Sequence, residues 1–75
     1  MFEQVKELLV DELSIDESNI SMTSDLVNDL GINSLELTDL ILLCEERFDI
    51  EIDDNAIKKF KSVGDVVEYI SKNVL

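Results

Sequence analysis

An all-α fold is expected: a small bundle of three to four helices with a long packed loop between the first two. Three observations point to it. Apolar residues recur at the helical period of 3.6 residues over most of the chain. Helix-start residues stand at the correct offsets before those periodic runs. The one alternating stretch, Phe48-Asp49-Ile50-Glu51-Ile52, has no partner strand elsewhere and reads as an extended link.

Each element follows from its own residues. Over 2–13, Phe2, Val5, Leu8, Leu9 and Leu13 share one face, with Glu3, Glu7 and Asp11 opposite, which gives the first helix. Residues 14–33 form the connection. A structureless loop of that length is unusual in a small domain. This one carries Ile15, Ile20, Met22, Leu26, Leu30 and Ile32, so it is expected to pack along the bundle, with Ser24 capping a short helical turn that Gly31 stops. The second helix runs from about Asn33 to Phe48, with Asn33 as N-cap and Glu36 at the third helical position. A short third helix follows near Asp54 to Phe60, capped by Asp53 or Asp54. The last covers 63–74, with Val63, Val66, Val67, Ile70 and Val74 in a narrow stripe and Ser62 and Asp65 as a capping-box pair.

The chain has 75 residues, 45% of them apolar, which fits one small folded domain over 1–75 rather than a disordered segment. A domain of this size buries only about 60% of its unfolded surface and has little room for a deep cleft. No proline and two glycines leave no visible linker, and there is no repeat. A single cysteine excludes an internal disulfide or a zinc site built on paired cysteines. Histidine is absent, which removes the commonest general base and metal ligand. No apolar run reaches the roughly 18 residues of a membrane span, and Met1-Phe2-Glu3-Gln4 has no signal-peptide character, so a cytoplasmic location is expected.

The net charge of −12 is unevenly spread. Residues 1–46 hold twelve acids against Lys6 alone, a balance of −11; residues 47–75 hold six acids against five bases, a balance of −1. Nucleic acid is excluded as a partner, because phosphate contacts need clustered Lys and Arg. Two readings of the charge stand: a field that steers basic partners inward, or a surface that keeps the chain soluble.

On the helical wheel of the second helix, at roughly 100° per residue, Leu37, Leu40, Ile41, Cys44 and Phe48 face the core. Ser34, Leu35, Thr38, Asp39, Leu42, Glu45 and Glu46 face away. Leu35 and Leu42 then stand among carboxylates as a small apolar patch with a charged rim, which suits docking, although isolated surface leucines are also ordinary. Leu43 falls on the boundary. Cys44 reads as a buried small hydrophobe with no redox role.

Ser34 opens this helix directly after the Gly31 turn, with acids on both sides. It reads either as an ordinary first-turn serine or as the acceptor of a phosphate group, since a helix N-terminus offers unpaired N–H groups and a positive dipole end. Nucleophilic catalysis is disfavoured, because no base adjoins it. Asp49-x-Glu51-x-Asp53 begins like a calcium loop, but Asp54 stands where glycine is needed and Phe60 where glutamate is needed. No metal site is assigned.

Leu30-Gly31-Ile32-Asn33-Ser34-Leu35-Glu36-Leu37-Thr38-Asp39-Leu40-Ile41 resembles the attachment motif of the acyl carrier protein family. Glu45-Glu46-Arg47-Phe48-Asp49-Ile50-Glu51-Ile52 is similar to that family's stretch after its second helix, and Ser62-Val63-Gly64-Asp65-Val66-Val67-Glu68-Tyr69-Ile70 to its closing helix. The resemblance covers essentially the whole chain. It implies that Ser34 carries 4′-phosphopantetheine, donated from coenzyme A by a phosphopantetheinyl transferase, and that the arm holds acyl groups as thioesters. The chain would then be a non-catalytic, monomeric shuttle among acyl-transferring, condensing or adenylating enzymes of fatty-acid, polyketide or related biosynthesis. It also implies contacts from Asn33, Leu35, Glu36, Asp39, Leu42, Glu45 and Glu46 to basic patches on partners, and an acyl-sequestering space lined by Phe48, Ile52, Phe60 and Tyr69.

Three positions depart from the family pattern. Asn33 replaces the aspartate before the serine, Asp53 a proline, and Leu43 a small residue. Together they suggest a specialised carrier, and Asn33 keeps an aminoacyl or peptidyl carrier open as the alternative. From another class, an acidic helical module that binds basic proteins unmodified would explain the charge but not Gly31 and Ser34.

Overall fold

Four helices realise the apolar periodicity: α1 (Phe2–Leu13), α2 (Ser34–Phe48), α3 (Asp54–Lys59) and α4 (Val63–Asn73), with one 3-10 turn at Glu17–Asn19. They are described for residues 1–74 in a computed structural model. The all-α expectation holds: among the described residues no strand forms, and the only bridge is an isolated one between Asp25 and Ser62.

The helix ends follow local chemistry. α1 and α2 stop at Ser14 and Asp49, both left-handed, with φ of 56° and 54°. A short polar side chain tolerates that conformation better than a branched one. α3 starts on Asp53, whose carboxylate accepts the Ala56 N–H at 2.8 Å. This explains why an acid is suitable where the family pattern has proline. α4 starts on a complete capping box between Ser62 and Asp65. The Asp65 carboxylate also accepts the N–H groups of Lys61 and Ser62, which hold its pKa below the usual carboxylate value.

α1 packs against both α2 and α4. Leu9, Leu26, Ile32, Leu40 and Ile70 are the largest fully buried side chains, so the core draws on α1, the long loop, α2 and α4. The loop therefore acts as a fourth wall, contributing Ile20, Leu26, Leu30 and Ile32 as buried residues and Ile15 as a partly buried one.

Two details of the loop differ from expectation. Met22 does not pack inward; its side chain is 45% exposed, and it is its carbonyl that makes the contact, accepting the Gly64 N–H at 2.8 Å. Ser24 does not cap the turn either. Its buried hydroxyl donates to the Asn19 carbonyl at 2.7 Å and accepts the Ser21 N–H. The capping role falls to Asp25, whose carboxylate accepts from the N–H groups of Val27 and Asn28 and is held below its usual pKa chiefly by Asn28. Gly31 stops this turn as expected, at φ +68°, a conformation available to glycine without strain.

The loop is joined to the start of α4 by backbone hydrogen bonds. Val63 and Gly64 donate to the carbonyls of Ser24 and Met22, and Leu26 donates to Lys61. Loop carbonyls thus satisfy first-turn N–H groups that a helix cannot pair internally. The approach is so close that a β-carbon on Gly64 would lie 2.8 Å from the Met22 carbonyl oxygen. Gly64→Ala is expected to cost about 1–3 kcal/mol by overpacking against backbone, read as a lowered urea midpoint. An unchanged midpoint would show that the loop yields freely there.

Candidate functional site

Ser34 is the first residue of α2 and is exposed, two positions after fully buried Ile32. The intervening Asn33 is the N-cap: its side-chain oxygen accepts the Glu36 N–H at 2.8 Å, and Glu36 Oε1 accepts the Asn33 N–H at 3.2 Å. This reciprocal pair fixes the entry angle of the chain into α2. Gly31 turns the backbone, Ile32 anchors it in the core, and the capping box aims Ser34 outward. The hydroxyl is therefore held on a rigid helix start and is not itself used as the cap.

The surroundings are acidic. Lys6, the one base before Arg47, is committed elsewhere, pairing with Glu17 at 3.1 Å; that bond raises its pKa. Arg47 reaches Glu7 at 3.9 Å, and among the described residues no ion pair engages Asp39, Glu45 or Glu46. The negative field along α2 is thus uncompensated within the chain.

The exposed face of α2 forms largely where the wheel places it. Leu35 is 78% exposed and Leu42 54%, with Thr38, Asp39 and Glu46 exposed between and beside them. Leu43, on the boundary of the wheel, is half-buried against the core. Two of the acids have internal partners as well. Glu36 closes the capping box and is half-buried. Glu45 is also half-buried, and its Oε2 accepts the Ile52 N–H at 2.9 Å. Sequence spacing carried no signal for that bond, because it depends on how the chain reverses after Asp49.

Cys44 is fully buried, and burial pushes its thiol pKa up to about 12. It is a neutral core side chain at physiological pH, with no thiolate available for reaction. The expected acyl-lining set divides. Phe60 and Tyr69 do line a groove of about 410 Å³, open to the surface between α3 and α4, and their rings meet edge to face at 5.6 Å. Phe48 and Ile52 do not border it; Ile52 is buried in the core, and Phe48 packs against the core at the end of α2.

An exposed primary hydroxyl at a helix N-terminus, on a helix whose first N–H groups point outward, accommodates a phosphodiester. The phosphopantetheine attachment site family matches residues 3–70. The chain is 45% identical over 73 residues to the acyl carrier protein of Clostridium perfringens (strain SM101), covering 97% of this chain and 96% of that one.

The chain belongs to the acyl carrier protein family.

Two further relatives agree. The acyl carrier protein of Clostridium acetobutylicum is 49% identical over 70 residues, covering 93% of this chain and 91% of its own length. That of Phytoplasma mali is 43% identical over 74 residues, covering 99% and 88%. The group borne by this family is 4′-phosphopantetheine, and its members are carriers rather than enzymes. That agrees with a chain that has no histidine and no base beside its exposed serine. No helix among the described residues is long and apolar enough to cross a membrane.

Proposed function

We propose that this acyl carrier protein bears its phosphopantetheine arm on Ser34 and moves acyl groups among the enzymes of fatty-acid, polyketide or related biosynthesis. The observation that carries this reading is the exposed hydroxyl of Ser34 at the first position of α2, fixed by the Asn33–Glu36 capping box within the matched family region. The chain supplies an oriented hydroxyl and no base, so the Ser34 proton leaves to a group on the transferase. When attached, the arm provides a terminal thiol that holds an acyl group as a thioester.

The remaining α2 residues serve recognition. Asp39 and Glu46 draw basic partner surfaces inward, and Leu35 and Leu42 provide apolar contact once the partner is seated. Reversing charge at Asp39 and Glu46 together is expected to slow association with a phosphopantetheinyl transferase about tenfold or more at low salt and to flatten its salt dependence. An on-rate unchanged at low salt would remove these acids from the docking face.

The carrier role is tested with an acyl coenzyme A in place of coenzyme A. Incubation with a broad-specificity transferase and magnesium should add one acylated arm to the intact mass, and hydroxylamine should then release the acyl group and leave the arm. A mass gain that hydroxylamine does not reduce would contradict thioester carriage.

A further inference from the structure

Glu45 accepts three N–H groups of the segment that leads from α2 to α3. Its carbonyl takes those of Asp49 and Ile50, and its carboxylate Oε2 takes that of Ile52 at 2.9 Å. The first two bonds are backbone and end the helix. The third spans seven residues and depends on one side chain. It lies where Ile52 enters the core, with Ile52 only 7% exposed, so the side chain of Glu45 holds the linker down at its point of burial. Its neighbour Glu46 is exposed and makes no side-chain hydrogen bond or ion pair among the described residues. Two adjacent acids of one helix turn thus have different roles.

Glu45 is only half-buried, so its carboxylate stays within reach of a partner's cation. A guanidinium takes both oxygens of a carboxylate at once, as a planar fork. The Ile52 N–H holds one of them, Oε2. A docking arginine therefore competes with Ile52 for the same carboxylate. Once displaced, the Ile52 N–H has lost its acceptor in a partly buried place and must move toward water to regain one.

We infer that Glu45 is a latch on the α2–α3 linker that an arginine-bearing partner opens by taking its carboxylate away from Ile52. The inference rests on reading α2 as the docking face for basic partners, and its two parts are separable. Docking at α2 in this way loosens residues 49–53 and the seating of Ile52, while the core of α2 stays closed.

Backbone amide exchange of Ile52, followed by NMR, tests both parts. In the free protein, Glu45→Ala is expected to raise the Ile52 exchange rate about tenfold or more. Glu45→Gln keeps an acceptor oxygen and should raise it no more than about threefold, and Glu46→Ala should leave it unchanged. Equal Ile52 exchange in Glu45→Ala and the wild type overturns the latch, whatever the docking face does. A capped tetra-arginine peptide then serves as the probe. It should shift the amide signals of Leu35 and Leu42 and raise Ile52 exchange in the wild type, with Leu40 exchange unchanged and no Ile52 response in Glu45→Gln. Shifts on α2 that saturate without any change at Ile52 overturn the coupling and spare the docking face; absence of binding on α2 overturns both.

Discussion

Ser34→Ala is expected to abolish acquisition of the phosphopantetheine arm and to leave the fold intact. The loss is complete rather than partial because the hydroxyl oxygen is the atom that bonds to phosphorus, and no neighbouring side chain substitutes for it at the same place. The fold survives because Ser34 is not the cap. Asn33 accepts the Glu36 N–H, Glu36 accepts that of Asn33, and Thr38 bonds only to the backbone carbonyl of Ser34, which alanine retains. Alanine is also the better helix former, so the stability change should lie within about 0.5 kcal/mol. Circular dichroism and a urea titration check the second half; intact mass after transferase treatment checks the first. A variant that still gains the arm would move the attachment point elsewhere.

The largest stability effect near the site is expected two residues earlier. Ile32 is 1% exposed, and its N–H donates to the Leu26 carbonyl at 3.0 Å. Ile32→Ala removes buried methyl groups and leaves a cavity, at about 2–4 kcal/mol. Against a total of about 5–15 kcal/mol, and toward the low end for so small a domain, that is a large share. The urea midpoint should fall by a few molar at a slope of about 1 kcal/mol/M. Leu35→Ala, three residues on and 78% exposed, should shift stability by less than about 0.5 kcal/mol while weakening partner binding. Comparable losses of stability in the two variants would contradict the division between a buried anchor and a docking side chain.

Much of this was legible from residue order. Asn33 and Glu36 announce the start of α2, Ser62 and Asp65 that of α4, and Gly31 the turn between loop and helix, because caps and left-handed turns depend on a few consecutive residues. The exposure of Leu35 and Leu42 followed from the helical wheel in the same way. What was not legible depends on contacts distant in sequence. Ser24 and Asp25 are adjacent and chemically equivalent as caps; the choice between them is made by burial of Ser24 against Asn19 and Ser21. Met22 reads as core by hydropathy, yet its backbone is what α4 uses, through a contact with Gly64 42 positions away. Phe48 and Ile52 look like cavity residues until the turn at Asp49 directs them to the core rather than to the groove beside Phe60 and Tyr69. The second role of Glu45 arises from that same turn, since only after the chain reverses does Ile52 come within reach of its carboxylate.

The central claim is that Ser34 bears the arm, and the most direct measurement is the intact mass of the protein after incubation with coenzyme A, magnesium and a broad-specificity phosphopantetheinyl transferase, followed by fragmentation to place the modification. One phosphopantetheine, located on Ser34, is the expected result. Modification at any other residue, or no gain in either the wild type or the Asn33→Asp variant, would contradict it.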